Sequence, residues 1–197
     1  MHIMVCGIDS DIGLQIATQH RALGDTVVTT SRNGIGDYRV ELNHPYAWPK
    51  FERDTFDLIY YTIGIAEGRT SRMEVMQVNC FATHDWLNMM GGTVKPGGKL
   101  VVLTSGWGSI GSVDGHQSPW YRMSKAALNM AVAILAQRYK SQIWTLMQPG
   151  WVYSKMNRAG GPTSITPTHS ATCIIRESAK VTEHFSFIDY TGAKLEF

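Results

Sequence analysis

Tyr121-Arg122-Met123-Ser124-Lys125 sets a phenol and an ammonium four residues apart, a spacing that puts both on one face of a helix. A tyrosine keeps its proton up to about pH 10, and a nearby positive charge favours the phenolate, so this pairing suits proton transfer closer to neutral pH. The same spacing is common on amphipathic helices, and it gains weight from a second feature far upstream. There the apolar run Ile3-Met4-Val5 leads into Cys6-Gly7-Ile8-Asp9-Ser10-Asp11-Ile12-Gly13 and then into a helical pattern. A glycine-rich turn from strand to helix lets backbone approach a pyrophosphate and aims first-turn N–H groups at it. Gly7, Ser10, Asp11, Ile12 and Gly13 are the candidate phosphate-binding residues. Asp11 stands where another glycine is expected. Its carboxylate would repel a pyrophosphate if it pointed inward, so it is expected to turn away and cap the helix.

The second strand ends in Thr29-Thr30-Ser31-Arg32, about where an acidic side chain would accept the ribose hydroxyls of NAD. No acid is present in that run. Ser31 can donate a hydrogen bond and Arg32 can fork onto a 2′-phosphate, so this edge favours NADP(H), with NAD(H) as the second choice.

The elements that must position these groups alternate. Strands are expected at His2 to Cys6, Thr26 to Thr30, Tyr38 to Leu42, Asp57 to Ile63, Leu100 to Leu103, Ile143 to Met147 and Phe185 to Asp189. Helices are expected at Ile12 to Leu23, Met73 to Met90, Trp120 to Tyr139 and from Pro167 to about Glu177. Gly24 closes the first helix, Pro96-Gly97-Gly98 forms a turn, and Thr166 caps the last helix. Alternation at this frequency implies a single doubly wound α/β domain over 1–197, Rossmann-like, with a parallel sheet of about seven strands covered on both faces. Ligands in such a sheet bind at the carboxyl ends of the strands.

Bulk composition agrees. A chain of 197 residues with 44% hydrophobic content can bury one core. The net charge of +2 comes from scattered Lys and Arg, without the basic run of a nucleic-acid arm. Cys6, Cys80 and Cys173 show neither disulfide nor zinc spacing, and the seven His residues have no metal-ligand pattern. No metal is expected. No leader or membrane span is recognised, so a cytoplasmic protein with no membrane partner is expected.

Taken together these motifs resemble the short-chain dehydrogenase/reductase family over nearly the whole chain. Gly7 and Gly13 match the family's nucleotide loop, and Tyr121 and Lys125 match its catalytic pair. Asn79 in Val78-Asn79-Cys80 matches its helix asparagine, and Ser105 in Leu103-Thr104-Ser105-Gly106 its active-site serine. Its P-G loop is matched by Gln148-Pro149-Gly150-Trp151-Val152-Tyr153-Ser154, in which Pro149, Gly150, Val152 and Ser154 face the cofactor and Ser154 replaces a threonine. The family's N-N-A-G becomes Tyr61-Thr62-Ile63-Gly64, which keeps the close-approach glycine Gly64 and loses the amides. The spacing from serine to tyrosine is long, which leaves Ser109 and Thr104 as alternatives to Ser105.

The resemblance implies hydride exchange between nicotinamide and a small carbonyl or alcohol, with Tyr121 as general acid/base. Lys125 would lower the phenol pKa and hold the ribose, Ser105 would bind the substrate oxygen, and Asn79 would position a water that links Lys125 to solvent. It also implies a substrate lid around 151–165, with Tyr153, Met156 and Trp107 as an apolar wall and Arg158 for an anionic group. A homodimer or homotetramer through the two long helices is expected. Two other readings compete: a redox sensor or regulatory protein that binds NADP(H) without turnover, and a methyltransferase suggested by Val94-Lys95-Pro96-Gly97-Gly98-Lys99-Leu100. Asn79, Ser105, Tyr121 and Lys125 together argue against the first. The missing acid at the end of the second strand argues against the other.

Overall fold

A computed structural model describes residues 1–68 and 70–197. The doubly wound sheet expected from the alternation is present. Seven strands pair in the order β3-β2-β1-β4-β5-β6-β7, every neighbouring pair parallel. They are β1 (His2–Cys6), β2 (Thr26–Ser31), β3 (Tyr38–Arg39), β4 (Phe56–Tyr61), β5 (Val94–Leu103), β6 (Ile143–Gln148) and β7 (Phe185–Asp189). The chain reverses its direction of winding between β1 and β4, which opens a crevice at their carboxyl ends.

Alternate residues of each strand feed two cores, as the period of two requires. Met4, Cys6, Ile59, Tyr61, Leu100 and Val102 face one side, where Trp86, Leu87, Val132 and Leu135 cover them. Ile3, Val5, Leu58, Tyr60 and Val101 face the other, beneath Ile16, Ala17, Ala171 and Ile174. Thus α3 (Ala82–Gly91) and α4 (Pro119–Arg138) cover one face, and α1 (Asp11–Ala22) and α5 (Pro167–Lys180) the other. Burial on both sides is why β1 and the end of β5 read as unbroken apolar runs. Among the described residues no helix is long and apolar enough to cross a membrane.

The differences from expectation lie where long-range contacts decide. The third strand stops at Arg39 rather than Leu42: Val40 N–H still reaches Ser31 O at 2.9 Å, and the Val40 and Leu42 side chains are buried in the core. Pro96-Gly97-Gly98 is not a turn ahead of a strand but a bulge inside β5. Phe56 pairs with Val94 and Leu58 already pairs with Lys99, so the intervening residues loop out. Gly97 N–H is held by Ser141 O at 2.6 Å.

The helix expected from Met73 to Met90 is three pieces: α2 (Arg72–Met76), a π turn (Gln77–Phe81) and α3. A wide turn of this kind accommodates one extra residue and shifts the side chains that follow. Thr83 supports it. Its hydroxyl donates to Val78 O at 2.6 Å, five residues back, and Tyr61 Oη lies 2.6 Å from the same Thr83 oxygen. Thr83→Val removes both bonds and leaves the buried Tyr61 hydroxyl unpaired, a loss of about 1–3 kcal/mol. Urea unfolding should show a lower midpoint for Thr83→Val than for Thr83→Ser, which keeps the hydroxyl.

Candidate active site

The crevice at the switch point is a cleft of about 550 Å³, within the usual range for cofactor sites. One end is lined by Val40, Glu41, Leu42 and Asn43, the middle by the β1–α1 loop and Thr62 to Ile65, and the far end by Leu103, Thr104, Tyr121, Lys125, Pro149 and Ser154. The two motifs that stand far apart in sequence therefore share one groove.

The glycine loop is shaped by contact as well as by torsion. Gly7 has φ +91°, a backbone conformation that side chains disfavour. A Cβ on Gly13 would lie 2.5 Å from Thr62 Oγ1 and 2.6 Å from Gly7 O, so nothing larger fits. Thr62 uses this closeness. Its hydroxyl reaches Cys6 O at 2.8 Å and Gly7 O at 2.9 Å and accepts from Ser10 Oγ at 3.1 Å, tying the ends of β1 and β4 to the start of α1. The lost amides of the N-N-A-G pattern are thus replaced by one hydroxyl.

The helix cap falls to Ser10, which accepts Gly13 N–H at 2.9 Å, and not to Asp11. The Asp11 carboxylate faces the segment after β6: it accepts Lys155 N–H at 2.7 Å and pairs with Lys155 Nζ at 3.3 Å. Asp11 and Ile12 line the cleft, and first-turn N–H groups have no intrahelical acceptor. Arg32 also lines it. Ser31 does not, because it is buried with its hydroxyl accepting Gly36 N–H at 2.8 Å.

At the far end, Tyr121 and Lys125 share the inner face of α4, with Lys125 Nζ 5.8 Å from the phenol ring centroid. Lys125 is buried, and burial lowers its pKa from 10.5 to about 8. Among the described residues its ammonium has one hydrogen-bond acceptor, Leu103 O at 3.4 Å, a weak partner for a buried cation. Tyr121 keeps part of its surface open to the cleft while its hydroxyl lies deep. Burial raises the phenol pKa, and a hydrogen bond with Ser105 pulls it back only in part. The lowering by Lys125 expected from the sequence is not seen: desolvation sets the direction and the lowering contribution comes from Ser105.

Of the hydroxyls considered for the serine role, Ser105 is the one that meets Tyr121. Thr104 is spent on Asn129 Oδ1 at 2.6 Å, and Ser109 is buried with its oxygen unpartnered among the described residues. Asn79 sits in the π turn with its amide fully engaged. Oδ1 accepts Ile65 N–H at 2.8 Å, and Nδ2 donates to Ile65 O at 2.9 Å and Ser124 Oγ at 3.0 Å. Gly64 lies so close that a Cβ there would be 3.3 Å from Lys125 Nζ.

Glu67 was invisible in the sequence as a site residue. Ser118 precedes α4 in a left-handed conformation and gives no side-chain cap, and Glu67 Oε2 takes that role by accepting Tyr121 N–H at 3.0 Å. Trp107 meets the Tyr121 ring edge-on at 6.3 Å between centroids and carries Arg122 over its own face at 4.4 Å. Met156 lines the cleft, whereas Tyr153 is largely exposed beside Gly160, and Arg158 is exposed. After β6, Gly150 has φ +89°, Val152 is buried and bridges to Ile165, and Ser154 Oγ accepts Asn157 N–H at 3.3 Å.

No family model matches the chain. A stretch of 105 residues is 32% identical to the C-signal protein of Myxococcus xanthus, covering 49% of this chain and 60% of that protein, less than two thirds of its length. Solved structures are similar over the whole chain. A putative short-chain dehydrogenase/reductase from Burkholderia multivorans with bound NADP superposes with TM-score 0.85 at 21% identity, covering 100% of this chain and 99% of that one. The NADPH-bound carbonyl reductase from chicken fatty liver gives 0.81 at 19%, covering 100% and 98%. The carbonyl reductase Sniffer of D. melanogaster gives 0.77 at 17%, covering 100% and 99%. The chain therefore has the fold of the short-chain dehydrogenases/reductases.

Lys125 makes a test that needs no substrate. Its folded pKa is depressed, so between about pH 8 and 10.5 the unfolded chain holds the proton that the folded chain has released, and stability rises with pH across that window. The full rise is about 3 kcal/mol. Unfolding free energies measured across the window should show the rise in the native chain and its loss in Lys125→Met.

Proposed function

We propose that the chain is an NADP(H)-dependent oxidoreductase of the short-chain dehydrogenase/reductase family that acts on a small carbonyl or alcohol. The observation that carries this reading is the single groove that joins the glycine loop to Tyr121 and Lys125, with Ser105 beside the Tyr121 phenol. The residues fit a dinucleotide. The Gly7–Gly13 cradle leaves no room for a side chain, and the first turn of α1 offers N–H groups to a pyrophosphate. The under-coordinated Lys125 ammonium suits ribose hydroxyls, and exposed Arg32 suits a 2′-phosphate. NADP or NADPH in similar structures supports the choice of cofactor.

When bound, the nicotinamide supplies or accepts the hydride. In the reducing direction Tyr121 Oη gives its proton to the substrate oxygen as the carbonyl carbon takes the hydride, and Ser105 Oγ donates a hydrogen bond to that oxygen. Lys125 favours the resulting phenolate by its charge. Asn79, buried with its amide bonded to Ile65 and Ser124, holds the Ile65 backbone against α4. Pro149, Gly150, Val152 and Ser154 bound the nicotinamide end, and the segment 151–165 acts as the substrate lid. Exposed Phe81, Met130 and Ile134, on the π turn and α4, suit pairing with a second copy into a dimer or tetramer.

A binding-only protein has no need of Ser105 paired with Tyr121 beside a buried lysine, so turnover is the favoured reading. Tyr121→Phe should lower turnover on a carbonyl panel by at least about 100-fold while NADPH affinity, read by nucleotide fluorescence, stays within about twofold. NADPH binding without turnover on any carbonyl would support the sensor instead, and failure to bind either nucleotide would reject both.

A further inference from the structure

We propose that Asp9 restrains the cleft's preference for a 2′-phosphorylated dinucleotide, by placing a carboxylate at the carboxyl end of β2 where that strand supplies none. The inference rests on the dinucleotide reading and goes beyond it. In a doubly wound sheet the adenosine ribose lies between the first strand-to-helix loop and the end of the second strand. A carboxylate there accepts the 2′ and 3′ hydroxyls and repels a 2′-phosphate, whereas a guanidinium attracts the phosphate.

The run Thr29-Thr30-Ser31-Arg32 holds only the guanidinium. The carboxylate arrives from the other loop. Asp9 Oδ2 accepts Arg32 N–H at 2.6 Å, which sets it against the backbone of the residue whose side chain would bind the phosphate. Asp9 and Arg32 both line the cleft. The arrangement is braced on either side: Arg39 Nε donates to Arg32 O at 3.2 Å, and Lys155 Nζ approaches Asp9 O at 3.4 Å. Any group placed beside Arg32 therefore meets both signs of charge. A diol gains an acceptor from Asp9. A phosphate gains Arg32 and loses part of that attraction to Asp9, because like charges brought together oppose binding.

The discriminating substitution is Asp9→Asn, whose amide oxygen still accepts Arg32 N–H while the charge is gone. Dissociation constants of NADPH and NADH, read by nucleotide fluorescence at low and high salt, should show the NADPH:NADH affinity ratio rising about tenfold in Asp9→Asn at low salt. The rise should shrink at high salt, as a charge effect must. Arg32→Ala should move the ratio the other way. A ratio within about twofold of the native chain in both Asp9→Asn and Asp9→Ser would overturn the proposal. Equal weakening of both nucleotides would also overturn it, by assigning Asp9 to loop structure alone. Native protein that binds neither nucleotide rejects the dinucleotide reading itself, an outcome distinct from an unchanged ratio.

Discussion

The close approach at Gly13 is the constraint on which the rest of the cleft depends. With no Cβ there, Thr62 can reach Gly7 O and Cys6 O while Ser10 reaches Thr62. One hydroxyl thereby joins the ends of β1 and β4, neighbours on either side of the switch point, to the start of α1. A side chain at position 13 would push the helix away from the strands, widen the crevice and turn the first-turn N–H groups off line. The segment after Thr62 runs directly into Gly64 and Ile65, so the placement of α4 also depends on it.

That helix is held by the same loop from two directions. Asn79 clasps both polar groups of the Ile65 backbone and bonds Ser124, and Glu67 caps the helix at the Tyr121 N–H. Ser124 in turn donates to Tyr121 O at 2.8 Å. Tyr121 is therefore positioned through its backbone on both sides, while its phenol meets Ser105, Trp107 and Lys125. The π turn belongs to this arrangement, because it carries Asn79 where the amide can span from Ile65 to α4. Burial does the electrostatic work: it discourages the charged forms of both Tyr121 and Lys125, so an ion or polar ligand entering the groove changes the balance at both groups together.

Local signals in the sequence reached far. The seven strands and the long helices follow from apolar period and from caps such as Thr166 and Gly24, because those are properties of a few adjacent residues. The Tyr121–Lys125 pair and the Gly7–Gly13 loop were legible for the same reason. What escaped was set by contacts distant in the chain. The bulge at Pro96 to Gly98 depends on pairing with β4 and on Ser141. The π turn depends on Tyr61 and Thr83. Asp11 reads locally as a cap, yet its partner is Lys155, and the cap is Ser10.

The end of β2 shows what that limit means for function. Read along the strand, Ser31 and Arg32 form a phosphate-binding edge with no opposing charge. In three dimensions Ser31 turns into the core and Asp9 takes a place beside Arg32, so the charge that a ligand meets is a property of two loops and not of one motif. Cofactor selectivity inferred from a strand end alone therefore counts only half of the field. The other half comes from the glycine loop, whose close packing against the end of β2 brings the Asp9 carboxylate to the Arg32 backbone.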